Sequence, residues 1–253
     1  MRIVRRLEQD GGFLFRWRSY LPLVIVPVGL PALYQAAQFE ALWGERAEDI
    51  WMLACILLSI GGLAIRWLTV GFVPAGTSGR NTHEQRASFL NTTGLYSVVR
   101  NPLYLGNFVV ILGIALATKS WWFVLIVALA YWLYIERIIA AEERFLAAKF
   151  GAGYLDWLGV TPAFLPAFRL WKRPAERFSL RTVLRREYNG VLSVGLAYYG
   201  LEAITDLAIE GESLRTWFQE DGIWSWSLAA ALMLFLTLRT IKKNTRLLHV
   251  DGR

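Results

Sequence analysis

The sequence predicts an all-α, polytopic transmembrane bundle of about six spans, including one short helical hairpin. Three observations carry that expectation. Apolar runs recur at near-membrane length, and mean hydropathy is +0.38, so lipid is the main solvent. Of 253 residues, 55% are hydrophobic and only 19% charged, against about 25% charged in a soluble domain. The charges are also segregated: basic and acidic loops alternate along the chain.

The first expected span, Tyr20 to Leu42, follows a basic tail (Arg2, Arg5, Arg6, Arg16, Arg18) and carries Pro22, Pro27 and Pro31. Each proline removes a backbone donor, which predicts a kink. No small-residue cleavage site follows, so this run reads as a retained span rather than a cleavable signal. The acidic loop "GERAED" leads into the second span, Ile50 to Phe72. A basic connection with Arg80, Arg86 and Arg100 precedes the short third span, Leu103 to Ala117. Only "TKS" separates it from the fourth, Trp121 to Ala140, so these two form a tight antiparallel hairpin. A strongly basic stretch, from Arg137 to Arg186, leads to the fifth span, Tyr188 to Leu207. An acidic loop (Asp206, Glu210, Glu212, Glu220, Asp221) precedes the sixth, Ile223 to Thr240. Trp17, Tyr20, Trp43, Trp121, Trp122, Trp224 and Trp226 lie at span ends, as interfacial anchors do.

This charge pattern places both termini and both long polar connections, 73 to 102 and 141 to 187, on the cytoplasmic side of a membrane, a bacterial inner membrane by expectation. The chain reads as one integral membrane domain, 1–253, with a core region at 94–157 and a two-span C-terminal extension at 185–253. The net charge of +7 comes without a nucleic-acid motif and reads as loops facing anionic headgroups. Cys55 is alone, which excludes an intrachain disulfide or a cysteine metal site. It reads as a small core hydrophobe, and no metal is expected. Glu202 falls inside the fifth span, where a carboxylate calls for a polar partner or a proton.

Two stretches hold candidate chemistry. "RNPLYLGN", Arg100 to Asn107, opens the third span. Pro102 suits a first helical turn and Asn101 its N-cap. Gly106 admits another backbone or a ligand, Tyr104 brings a hydroxyl, and Arg100 brings a fork for an anion. Alternatively the stretch is only an interfacial helix start with a snorkelling Arg. "EERFLAAKFGAGYLDW" follows the fourth span. Its adjacent Glu142 and Glu143 diverge by about 100° on a helix, so one points inward while the other points sideways. That pair is either an ammonium-binding device or a solvated helix face.

The segment Gly94 to Trp157 resembles the isoprenylcysteine carboxyl methyltransferase and phospholipid methyltransferase superfamily. The matching residues are Gly94 and Tyr96; Arg100, Asn101, Pro102, Tyr104 and Gly106; Glu142, Glu143 and Leu146; and Phe150, Gly151 and Tyr154. The resemblance implies an integral membrane methyltransferase using S-adenosyl-L-methionine, with its cofactor pocket formed by the hairpin and the polar segment after it. By carry-over, Tyr96, Asn101, Pro102, Tyr104, Gly106, Glu142 and Glu143 bind the cofactor, and Arg100 and Asn101 are catalytic. The family usually has His where this chain has Asn101. Asn exchanges hydrogen bonds but does not titrate near neutral pH, so a His-dependent proton transfer is lost.

The loop "PAGTSGRNTHEQRASFLNTTG" contains Arg80 and Arg86, expected with Arg100 to bind substrate. Its Gly, Ser, Thr and Asn content suits contacts to a phosphate, and equally an ordinary polar connector. His83 reads as a solvated loop residue, and Asn91 as an acceptor sequon that a cytoplasmic loop leaves unmodified. The loop is more loosely similar to bacterial relatives such as the lipid A phosphate methyltransferases. The partner expected is a membrane lipid or lipid-linked acceptor, methylated on phosphate or carboxylate oxygen. The alternatives are a prenylated cysteine carboxylate, a phospholipid amine, a hairpin-sharing reductase with a nicotinamide cofactor, or a noncatalytic relative.

Overall fold

Backbone polar groups in a water-poor phase have to bond within their own segment, and helix does this. The computed structural model describes residues 26–74 and 88–250, and among them every regular element is helical apart from an isolated bridge between Gly94 and Lys172. Arg80, His83, Arg86 and the first residues of the first expected span lie outside the described residues.

The helices, in order, are α1 Val26–Trp43, α2 Glu45–Gly71, the one-turn α3 Leu95–Val98, α4 Pro102–Ala117, α5 Trp121–Phe150, α6 Ala152–Val160, α7 Leu180–Ile204, α8 Leu214–Glu220 and α9 Gly222–Asn244. Six of them, α1, α2, α4, α5, α7 and α9, stand where spans are expected. Among the described residues, four helices are long and apolar enough to cross a membrane: Arg46–Gly71, Trp121–Phe150, Leu180–Glu210 and Gly222–Asn244. The 16 residues of α4 rise about 24 Å, short of a hydrocarbon core of about 30 Å.

Three boundaries differ from expectation for identifiable reasons. The helix α5 does not stop at Ala140. Its continuation, "AEERFLAAKF", consists mostly of strong helix formers, and the first breaker is Gly151, at φ +58. The helix α7 starts at Leu180, eight residues before Tyr188. Ser179 caps it by accepting from the Thr182 N–H at 3.2 Å. At its far end α7 continues as a π-helical stretch, Thr205–Glu210, rather than ending cleanly.

The helices α2 and α4 run antiparallel and unusually close. A Cβ on Gly62 would lie 2.6 Å from the Gly106 carbonyl oxygen, and one on Gly106 would lie 2.8 Å from the Gly62 carbonyl oxygen. Two turns along, Gly113 faces Ser59 and the Cys55 carbonyl. Small residues let the backbones touch, and dispersion then holds them where lipid offers no hydrophobic drive. Ser59 Oγ donates to the Val110 carbonyl at 3.1 Å and shares a 2.9 Å hydrogen bond with the Tyr198 hydroxyl, which brings in α7. The hairpin of α4 and α5 closes through Thr118 and Lys119, with Lys119 at φ +55, and Lys119 pairs with Glu48 of α2. At the same end of the hairpin, α1 places Gln35 Oε1 to accept from Ser120 Oγ at 2.8 Å and Trp122 Nε1 at 3.1 Å. The helix α9 covers α7, with the Tyr188 and Phe235 rings 5.4 Å apart.

This arrangement gathers the C-terminal ends of α2 and α5 and the N-terminal ends of α4 and α7 on one face. The acidic residues Glu48, Asp206, Glu210 and Asp221 belong to the opposite ends.

A paired substitution tests the crossing. In Gly62→Ala the clash with backbone outweighs the gain in helix propensity, costing about 2 kcal/mol. Gly61→Ala meets nothing within 4 Å and is neutral or stabilising by up to about 1 kcal/mol. Thermal unfolding in detergent should rank Gly61→Ala at or above the parent and Gly62→Ala below it.

Candidate active site

The polar face is organised by the turn that carries Arg100. Gly94, at φ +60, bridges Lys172, its N–H donating to the Lys172 carbonyl at 3.0 Å. After the single turn of α3 the chain extends through Val99, and Pro102 then starts α4 at its first position. Asn101 occupies the N-cap in backbone terms, since its carbonyl accepts from the Leu105 N–H at 3.0 Å. Its side chain does not cap the helix, contrary to expectation. It turns away, and Nδ2 donates to the Ala163 carbonyl at 3.0 Å.

Arg100 points toward α5 and α6. Nη1 donates to the Leu158 carbonyl at 3.0 Å, and Nη2 lies 3.2 Å from Glu143 Oε1. Both side chains are largely covered, at 15% and 27% exposure, so the pair is well shielded from solvent. Glu143 Oε1 and Arg100 Nε are both buried and take part in no hydrogen bond among the described residues.

Glu142, one residue earlier, faces another direction. It accepts a 2.8 Å hydrogen bond from the Tyr104 hydroxyl. The Tyr104 carbonyl in turn accepts from the Tyr131 hydroxyl at 2.6 Å, which locks the first turn of α4 onto α5. Two neighbouring carboxylates are thus aimed at two parts of the same motif. Tyr154 is buried at 1% exposure, its ring 5.6 Å from that of Trp157. Burial, together with the charge of Glu143, pushes its hydroxyl above the ordinary range. The Tyr96 hydroxyl is pushed up to about 12, first by burial and then by the charge of Glu142, while Arg186 and Arg66 pull it down. The charges that act on it belong to α2, α5 and α7.

The structure therefore brings Tyr96, Arg100, Asn101, Pro102, Tyr104, Glu142 and Glu143 into one neighbourhood. Gly106 serves a different purpose: its open face is filled by α2, with the Arg66 stem and the Gly62 carbonyl against it. Pro102 is fully buried.

Residues 50–153 match the phospholipid methyltransferase family, a range that holds most of α2, the Arg100 turn, the hairpin and both carboxylates. The chain is 36% identical over 162 residues to the nickel-cobalt-cadmium resistance protein NccN of Alcaligenes xylosoxydans xylosoxydans, covering 63% of this chain and 70% of that one. It is 33% identical to the cobalt-zinc-cadmium resistance protein CzcN of Cupriavidus metallidurans, over 63% of this chain and 68% of the relative. A 77-residue stretch is 31% identical to the protein-S-isoprenylcysteine O-methyltransferase of Schizosaccharomyces pombe, 30% of this chain and 33% of that one. The chain belongs to the phospholipid methyltransferase and isoprenylcysteine carboxyl methyltransferase superfamily. No solved structure gives a significant match.

Beside the motif that this superfamily shares, sequence reasoning overlooked a buried ionic group. Arg66 of α2 donates through Nε to Glu187 Oε2 at 2.8 Å, with Nη2 2.7 Å from the same oxygen, while Nη1 donates to Asn107 Oδ1. Glu187 is 6% exposed. The available signal was an arginine inside an apolar run, which is costly in lipid and functional by default. Its partner lies 121 residues away, and no spacing rule reaches that far.

Removing one member of the Arg100–Glu143 pair strands a shielded charge. Arg100→Met should cost about 2 kcal/mol of stability, and adding Glu143→Gln should recover part of that loss. A double-mutant cycle on thermal unfolding measures it; additive losses would show that the two side chains are not coupled.

Proposed function

We propose that this protein is an S-adenosyl-L-methionine-dependent methyltransferase that acts at the cytoplasmic face of a bacterial inner membrane, with both termini on that side, and methylates a phosphate or carboxylate oxygen of a lipidic acceptor. The observation that carries the reading is the pairing of adjacent carboxylates with the Arg100 turn at the end of a membrane-length helix. Family membership supports methyl transfer, and the basic loops support the orientation.

The residues present fit the cofactor. Glu143, whose buried Oε1 pairs with the Arg100 guanidinium at 3.2 Å but takes no hydrogen bond among the described residues, and the Tyr104-oriented Glu142 supply negative charge suited to an ammonium group and acceptors suited to ribose hydroxyls. Tyr96, Asn101, Pro102 and Tyr104 would complete the pocket. When bound, S-adenosyl-L-methionine supplies a methyl group already activated on its sulfonium.

The chain's own contribution is then positional. Arg100 holds the anionic acceptor oxygen in line, and Asn101 fixes the turn that carries Arg100. The apolar walls of α4 and α5 keep water out. An anionic oxygen needs no base, so the missing His is no obstacle. An amine acceptor would need one and would meet a basic face. Arg80 and Arg86 are proposed to extend acceptor binding.

Between the two oxygen acceptors, the relatives' names give different support. Isoprenylcysteine methyl transfer in the Schizosaccharomyces pombe relative favours a carboxylate. The metal-resistance names of the other two suit a lipid phosphate, since methylating it removes a negative charge that divalent cations bind.

Incubation with radiolabelled S-adenosyl-L-methionine and a bacterial envelope lipid extract, followed by mass analysis, should yield a lipid heavier by one methyl group, with fragmentation locating it on phosphate or carboxylate. No labelled lipid would refute the acceptor class. S-adenosylhomocysteine should raise the unfolding temperature of the parent but not of Glu142→Ala; equal protection of both would show that the pocket is misplaced.

A further inference from the structure

Residues 155–178 run from α6 to the start of α7 and lie across the Arg100 turn. Their backbone is tied to it repeatedly. The Arg100 N–H donates to the Pro162 carbonyl at 2.9 Å, and the Ala167 N–H donates to the Val98 carbonyl at 2.9 Å. Arg100 Nη1 and Asn101 Nδ2 donate to the carbonyls of Leu158 and Ala163. Trp157 Nε1 donates to the Tyr96 carbonyl at 3.1 Å, and the Lys172 N–H to Ser97 Oγ at 2.9 Å. The segment therefore functions as a strap whose backbone is part of the site.

Its outer side chains are of two kinds. Leu165 is 79% exposed, Phe168 71% and Trp171 52%. Interleaved with them are the exposed cations Arg169, Lys172, Arg173 and Arg177, against the acidic Asp156 and Glu176. Water is a poor solvent for the first set, and hydrocarbon for the second. The headgroup boundary of an anionic leaflet accepts both. The strap is also in the right place, since it continues from the end of α5 and is bonded to the start of α4, where membrane-crossing helices emerge.

We infer that residues 155–178 dock on an anionic lipid surface and that this docking holds the Arg100–Asn101 turn in place. Membrane surface charge thereby sets how well ordered the site is. The occupant is the bilayer itself: its charge complements the strap's cations, and its acyl boundary takes up the large apolar side chains between them. Lifting the strap removes the carbonyls of Leu158, Pro162 and Ala163 from Arg100 and Asn101 together. The inference rests on the site's place at the membrane edge and not on methyl transfer, so its test reads depth and backbone protection rather than activity.

The full chain carrying Cys55→Ala and Phe168→Cys is labelled with a nitroxide and reconstituted in vesicles of phosphatidylcholine alone or with phosphatidylglycerol added. With the anionic lipid, the label should be more accessible to oxygen than to a water-soluble nickel chelate. In the unlabelled parent, the amides of Arg100 and Ala167 should exchange hydrogen several-fold more slowly in anionic than in neutral vesicles. High salt should shrink that difference, because screening shortens the reach of surface charge. A label that stays water-exposed in both lipids assigns the face to a soluble partner and overturns the proposal. So does exchange at Arg100 and Ala167 that ignores lipid charge, whatever the depth of the label.

Discussion

The contact between α2 and α4 is the constraint on which the other arrangements depend. Gly62, Gly106 and Gly113 let two backbones approach to a distance that side chains elsewhere would forbid. That approach fixes the depth of α4 and hence the level at which Arg100 and Tyr104 emerge. It also delivers Arg66 to Asn107 and Glu187, which ties α7 to the same pair. The short α4 is held by its neighbours rather than by its own length. With van der Waals contact as the main force between helices in lipid, a small change in shape at this crossing moves everything attached to it.

Electrostatics on the polar face follows from a simple geometric fact. Successive residues on a helix point about 100° apart, so two adjacent glutamates need not compete for one site. Glu142 reaches Tyr104, and Glu143 reaches Arg100. Each carboxylate meets a different member of one short motif on α4 and its leading turn. The Arg66–Glu187 pair is a separate centre of opposite charges, buried between three helices. Charges removed from water persist there only because each has a partner with good geometry.

Much of this was readable because it depends on local rules. Pro102 marked the start of α4, and "TKS" marked the turn into α5, since both act through the backbone nearby. The change of polarity at Glu142 bounded the apolar span at Ala140 but not the helix, which strong helix formers and the absence of a breaker before Gly151 carry on to Phe150. The Asn101 side chain was assigned to its own helix, as an N-cap residue normally is. It went instead to Ala163, because the strap presents a carbonyl there that no sequence pattern announces. The Arg66–Glu187 pair and the positions of Tyr96 and Tyr131 are products of assembly, set by which helices meet. The residues around Arg80 and Arg86 lie outside the described part of the chain and were legible only as composition.

The uninterrupted length of α5 has a mechanical consequence. Thirty residues make a rod of about 45 Å, half as long again as the hydrocarbon it crosses. Glu142 and Glu143 ride on the last third of that rod, rigidly joined to its lipid-embedded part. A thicker bilayer draws the rod inward or makes it stand upright, and a thinner one lets it lean. The height of the two carboxylates above the lipid surface is therefore coupled to membrane thickness, and acyl-chain length becomes a variable that the site senses without binding anything.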